Sequence, residues 1–485
     1  MRLHTVDIVI IAAYLVSITL FGLRFRKKQR TLRDYFLADR NIPWWAIGLS
    51  LVAAETSTLT IIGTPGIAYG GNFGFLQLVF GYLLGRVIIS LILIPQYFRG
   101  EMFTAYELID RRFGAALHRL TAGVFLLTRA AAEGVRVWAI SIVVAIVLGL
   151  TNDVWSIAIV MVLTLIYTFE GGMAAVIWTD VIQMFIYVAG TIVGFITLTH
   201  LVPGGWHTIH AMAGEAGKFQ VVNFSFNPYE KYTFWAGLIG GMFLTTASHG
   251  TDQLMVQRLL AARNQRDSKV ALISSGFVVL MQFTLFLLVG ASLWVFYRMH
   301  PPATPFSATD RVFPTFIVEH MPSGISGLLI AAILAAAMSN LSAALNSLSS
   351  TTMMDFYLRI RPETPEQRKL FLSRAATLVW CVVLFALAMA SRGKGAVLEL
   401  GLSIASVAYG GLLGVFLLGV LTKRARQTGA IIGMICGLAL NLYVWKWTSI
   451  AFTWYVTLGS ITTFVVGYLA SLILEPNAER KEHTT

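Results

Sequence analysis

Residues 53–58 read Ala53-Ala54-Glu55-Thr56-Ser57-Thr58, a carboxylate and three hydroxyls inside a predominantly apolar run from Trp44 to Tyr69. An apolar run of roughly 20 residues crosses a bilayer as a helix, and there every backbone polar group needs a partner within the protein. Serine and threonine hydroxyls compete with helical hydrogen bonding, so this cluster predicts an interruption that frees backbone carbonyls. In a later run, Ala336, Ser339, Asn340 and Ser342 lie along one side of a helix. Hard oxygen donors from a broken helix and a hydroxyl-bearing face are what an alkali cation requires in place of its hydration shell. The pairing points to ion-coupled transport.

The chain has 485 residues, 56% hydrophobic and 12% charged, with a mean hydropathy of +0.72. That excludes a soluble domain and predicts an all-α, polytopic membrane protein. Thirteen spans are expected, near 5–23, 43–69, 73–97, 117–150, 153–169, 176–200, 233–257, 269–297, 323–350, 371–391, 397–421, 428–446 and 452–474. The first run is followed directly by Arg24, Arg26, Lys27, Lys28 and Arg30 with no small-residue cleavage pattern, so it is read as a retained helix.

Placing the amino terminus outside lets the basic residues test the topology. Of 36 lysines and arginines, 25 fall on the cytoplasmic side and 8 on the other, leaving Arg86, Arg129 and Arg136 within spans. The expected location is the cell membrane, with a cytoplasmic carboxyl terminus. The net charge of +12 follows from this asymmetry and from anionic lipid, and calls for no nucleic-acid partner. Cys381 and Cys436 both fall within spans, so no disulfide is expected. The loop 201–232 is expected to cover a gate or to run over the surface, and the oligomeric state is left open.

Ionisable residues inside spans are Glu55, Arg86, Arg129, Glu133, Arg136, Asp180 and Asp252. Arg86 follows Gly81-Tyr82-Leu83-Leu84-Gly85 and is given a structural role, and Asp252 is expected to pair with Arg258. Arg129, Glu133 and Arg136 share one helix face, and a single carboxylate cannot neutralise two guanidinium groups. Either Glu55 or Asp180 supplies the missing charge, or Arg136 meets a carboxylate on a solute. A second break is expected within Gly237–Gly250. With interruptions in the second and seventh spans, the halves are drawn as 41–200 and 233–425, five helices each and inverted. Segment 1–40 supplies an extra amino-terminal helix and basic loop, and 426–485 two extra helices and a short tail.

Several strings together resemble the sodium/solute symporter family: Trp44-Trp45-Ala46-Ile47-Gly48-Leu49-Ser50; Thr104-Ala105-Tyr106-Glu107-Leu108-Ile109 with Arg111-Arg112-Phe113; Gly171-Gly172-Met173 through Asp180-Val181-Ile182-Gln183; and Thr251-Asp252-Gln253 through Ala262. The resemblance spans nearly the whole chain. It implies a leucine-transporter-type core of five plus five inverted helices, with the first and sixth discontinuous. It also implies a main sodium site at Ala53, Thr56, Ala336, Ser339 and Asn340. Asn340 departs from the hydroxyl often found there, and its amide reaches farther. A second sodium would use Asp180 and Ser342, although Ala343 supplies no side-chain oxygen, so one ion or two remains open.

Solute contacts implied by the family fall on Glu55, Ser57, Thr60, Gln77, Arg136, Thr245, Ser248, His249 and Ser403. Sugar-transporting members carry an aromatic pair near Ser248-His249, a lysine on the next helix and a glutamine on the tenth, none of which is found here. The expected solute is therefore a small polar molecule, carboxylate-bearing or polyhydroxylated. The rivals are proton coupling through Glu55 and Asp180, and a sensor on a transporter scaffold. An enzyme is not expected, since no metal-protease or nucleophile-elbow motif is found.

Overall fold

The computed structural model describes residues 4–25, 31–148, 153–302, 305–306, 308–391 and 397–474. The described chain is helical, with one isolated bridge between Ile42 and Ala262. Its long helices are α1 (Thr5–Leu23), α2 (Trp44–Glu55), α3 (Thr58–Gly70), α4 (Leu76–Ile88), α5 (Ala115–Leu148), α6 (Asp153–Leu201), α7 (Gly241–Gly250), α8 (Gln253–Leu260), α9 (Gln265–Met299), α10 (Ile325–Thr351), α11 (Glu366–Ala390), α12 (Val397–Leu421), α13 (Gln427–Trp447) and α14 (Tyr455–Leu474).

Among the described residues, nine helices are long and apolar enough to cross a membrane, ten when the bent pair α2 and α3 counts as one span. The remaining three expected spans are also helical. One is α5, which carries Arg129, Glu133 and Arg136; another is the part of α6 before Gly172, where φ is 56°; the third is divided between α7 and α8.

The first break forms where the hydroxyls predict it. Helix α2 ends at Glu55, Thr56 and Ser57 turn extended with ψ of 96° and 167°, and α3 leaves at 64° to α2. Ser57 Oγ accepts from the Thr60 N–H at 3.4 Å, and Thr60 Oγ1 from the Ser57 N–H at 3.3 Å. This reciprocal cap gives partners to two N–H groups that the break would otherwise orphan. Pro65 lies inside α3, and Gly290 of α9 packs so closely that a Cβ there would stand 2.2 Å from the Pro65 carbonyl oxygen.

The second break falls later than the glycine-rich run suggests. Residues 236–240 form a π turn and Gly241–Gly250 a regular helix. Helical geometry is lost only at Thr251, with φ −130°, and Asp252, with ψ 123°. Asp252 Oδ1 accepts from the Leu254 N–H at 2.9 Å and so caps α8. The glycines before it serve close packing instead: a Cβ on Gly237 would lie 2.6 Å from the Gln77 backbone, and one on Gly241 2.4 Å from the Leu78 carbonyl oxygen of α4.

Helix α10 is the centre of the molecule. In its most apolar stretch 94% of the residues are buried, against 22% for α1 and α11. Its alanines and serines let α6, α5, α2 and α3 approach closely. Helices α12, α13 and α14 pack on one another to one side, and residues 202–232, including the helix Gly205–Glu215, lie over one end. There Lys218 Nζ donates to the carbonyls of Tyr69 at 2.7 Å and Gly71 at 2.9 Å, tying this loop to the end of α3.

The contact between α4 and the π turn tests this packing. A Cβ on Gly81 would lie 2.4 Å from the Gly237 carbonyl oxygen. Gly81→Val is expected to cost about 1–3 kcal/mol, read as a lowered thermal midpoint of the purified protein. Gly123→Ala, where an added Cβ meets nothing within 4 Å, is expected to show no such loss.

Candidate functional site

Because the chain leaves α2 at Glu55, its last carbonyls lose their helical partners and turn toward α10. The Asn340 side-chain amide meets them. Its Nδ2 donates to the carbonyls of Thr56 at 2.9 Å, Ala336 at 3.2 Å and Ala53 at 3.4 Å. Three of the carbonyls expected around a cation thus converge on one nitrogen. Asn340 Oδ1 is buried with no hydrogen-bond partner among the described residues. Thr56 is held further by Gln282, whose Nε2 donates to Thr56 Oγ1 at 2.6 Å, and Thr58 Oγ1 donates to the Ile333 carbonyl at 3.2 Å.

On the residue before Asn340, Ser339 Oγ donates to Asp180 Oδ1 at 2.7 Å. The other oxygen of Asp180 accepts from Arg258 at 2.8 Å and from the Ser50 hydroxyl. Arg258 also donates to Ser50 Oγ at 2.8 Å, and both Arg258 and Asp180 are fully buried. Arg258 therefore partners Asp180, not Asp252 as its nearness in sequence suggests. The Ser342 hydroxyl donates back to the Ser339 carbonyl at 2.9 Å.

On the other side of the break lies a cavity. Of the residues expected to contact solute, Glu55, Thr60, Arg136, Thr245, Ser248 and His249 line it. Glu55 is paired with Arg86, and His249 Nε2 lies 3.5 Å from Glu55. The carboxylate that completes the arginine pair is Asp252, rather than Glu55 or Asp180. Arg129 and Arg136 each approach Glu133 Oε1 at 2.6 Å, and Arg129 also reaches Asp252 at 3.4 Å. Tyr409 donates to that same Asp252 oxygen at 2.7 Å. Of the arginines, Arg136 is the most open, with 22% of its side chain exposed against 7% for Arg129 and 1% for Arg86.

Gln77 does not line this cavity. Its amide is spent on the 202–232 loop and the turn before α4, donating to the carbonyls of Gly74 and Tyr232 and accepting from the Asn223 N–H. Ser57 lines a smaller gap beside it, shared with Glu133, Arg136 and Asn340. The side chain of Ser403 lies outside the described residues. The sequence reading missed Thr64, Tyr82, Tyr409 and the aromatic walls Phe75 and Phe283. Only the hydroxyl of Thr64, one turn beyond Thr60, carried a signal, since tyrosine and phenylalanine in apolar helices are most often packing residues.

The model of the sodium:solute symporter family matches residues 35–437, and the chain belongs to that family. It is a secondary transporter, not an enzyme, and couples sodium to the movement of a small polar solute across a membrane it spans many times. Its core has five plus five inverted helices with the first and sixth discontinuous. The sodium/sialic acid symporter of Aliivibrio fischeri is 29% identical over 99% of this chain and 95% of its own length. That of Proteus mirabilis is 28% identical over 98% of this chain and 97% of its own. A solved structure of a Na+-coupled sialic acid symporter, substrate-bound and outward-open, superposes with a TM-score of 0.89 at 28% identity, covering 97% of this chain and 98% of that one.

Asp180 separates structural from ion-binding chemistry. With Arg258 fully buried against it, Asp180→Asn is expected to destabilise the protein by about 3–5 kcal/mol, measured by thermal unfolding in detergent. Unchanged stability with a lowered sodium Hill coefficient would instead mark Asp180 as an ion ligand.

Proposed function

We propose that the chain takes up an anionic, polyhydroxylated acid of the sialic acid class together with sodium, with Arg136 receiving the solute carboxylate. The observation that carries this is the position of Arg136. Among the described residues it bonds only Glu133, which it shares with Arg129, and it opens both to the solute cavity and to the gap beside Asn340. A guanidinium offers five N–H donors in a planar fork suited to a carboxylate. Thr60, Thr64, Thr245, Ser248 and the hydroxyls of Tyr82 and Tyr409 surround it with partners for solute hydroxyl groups. The relatives named for sialic acid transport support the same class of solute.

Sodium is assigned to Ala53, Thr56, Ala336, Ser339 and Asn340, where it would join the broken end of α2 to α10. Ordering that junction shapes the adjoining cavity, so each ligand raises the affinity for the other. The two halves, 41–200 and 233–425, are assigned as the inverted repeats, and rocking of one bundle against the rest exposes the site to each side in turn. The excess of lysine and arginine in alternate loops orients the chain with its amino terminus outside and its carboxyl terminus in the cytoplasm.

Thermal-shift measurements on the purified protein test the solute class. N-acetylneuraminate in sodium buffer is expected to stabilise it, by about 2.7 kcal/mol at a hundredfold excess over Kd, while neutral hexoses do not. Arg136→Lys is expected to weaken that binding at least tenfold, since an ammonium cannot reproduce a bidentate contact. Equal stabilisation by neutral sugars, or wild-type affinity in the lysine variant, would remove the carboxylate assignment.

A further inference from the structure

The carbonyls of Ala53, Thr56 and Ala336 accept hydrogen bonds from a single donor, Asn340 Nδ2. These are the oxygens assigned above to sodium. A donor nitrogen and a cation answer the same need of converging carbonyls, which are costly to leave unmet when buried. They cannot occupy one point together. On the other end of the same amide, Oδ1 is 2% exposed at the residue level and has no partner among the described residues. The nitrogen has two hydrogens to share among three carbonyls and the oxygen goes unmet, so this orientation leaves the amide incompletely satisfied at both ends. Turning χ2 by about 180° exchanges the two atoms and would direct Oδ1 at the carbonyls, an arrangement that is repulsive unless a cation stands between them.

We propose that Asn340 is an internal competitor for sodium, its Nδ2 holding the α2–α10 junction in the absence of the ion and its amide turning to present Oδ1 when sodium enters. This rests on the location of the sodium site proposed above. A serine hydroxyl at this position supplies a ligand but reaches less far and offers one hydrogen where the amide offers two. Asn340 therefore lowers sodium affinity and lessens the protein's dependence on sodium for its integrity. Release of the ion is correspondingly aided, because the vacated carbonyls regain a donor without waiting for water. Arg136 and Asn340 line the same gap, which places this exchange beside the solute cavity.

Sodium binding to the purified protein, titrated calorimetrically with sodium chloride against choline chloride at constant ionic strength, provides the test, together with the thermal midpoint in choline alone. Asn340→Ser and the near-isosteric Asn340→Asp both remove the donor and keep an oxygen. Asn340→Ser is expected to tighten sodium binding by roughly tenfold, the effect of about one neutral hydrogen bond, and Asn340→Asp to tighten it further through its added charge; both are expected to lower the midpoint in choline while leaving it near wild type in sodium. Wild-type or weaker sodium binding in Asn340→Ser, with Ser339→Ala weakening it at least tenfold, would overturn the competition and leave the site standing. If Asn340→Ser, Asn340→Asp and Ser339→Ala all leave sodium binding unchanged, the site itself is misplaced and the proposal falls with it. Should the aspartate variant fail to fold, the serine variant alone decides.

Discussion

A carbonyl oxygen in the interior of a bilayer must find a partner, and a helix broken in mid-membrane releases several at once. Much of the central packing answers that constraint. Ser57 and Thr60 cap each other, Thr58 reaches the Ile333 carbonyl, Gln282 holds the Thr56 hydroxyl, and Asn340 gathers the carbonyls of Ala53, Thr56 and Ala336. Small residues along α10 bring its backbone near enough for these bonds to form. The same unmet acceptors that threaten stability are what a cation can use.

Around the break the charges are arranged in closed groups. Glu55 is matched by Arg86, Asp180 by Arg258, and Glu133 with Asp252 by Arg129 and Arg136. Formal charge is balanced across these groups, yet exposure is not: Arg136 has the most open side chain of the four arginines. On the proposed assignment, an arriving carboxylate would relieve Glu133 of one of its two guanidinium partners and so redistribute contacts within the network instead of adding an isolated charge pair.

What was legible in the sequence was local. The hydroxyls at Thr56–Thr58 announce the first break because their chemistry acts on their own backbone, and the Arg129–Glu133 pair follows from helical spacing. The second break was displaced because glycine weakens a helix by propensity but also permits close approach. At Gly237 and Gly241 the latter purpose prevails, and the interruption comes from Asp252 instead. Partners far apart in the chain, such as Asp180 with Arg258 or Glu55 with Arg86, have no signature in a single sequence. Several of the recognisable motifs prove to be fastenings: Gln253 binds the Phe103 carbonyl and the Ala105 N–H, Gln257 binds the Phe36 carbonyl, and Glu107 caps Phe103 and Thr104. Strings that name a fold need not lie where the cargo binds.

The burial of Asp180 and Arg258 bears on how the protein experiences salt. Mobile ions weaken charge pairs they can surround, with a reach of about 8 Å at physiological strength, but they do not enter a dry interior. With both partners shielded by α2, α6, α8 and α10, this charge pair is not screened by the bulk electrolyte. A change in bulk ionic strength therefore loosens exposed pairs such as Arg33 with Glu101 before it touches this joint.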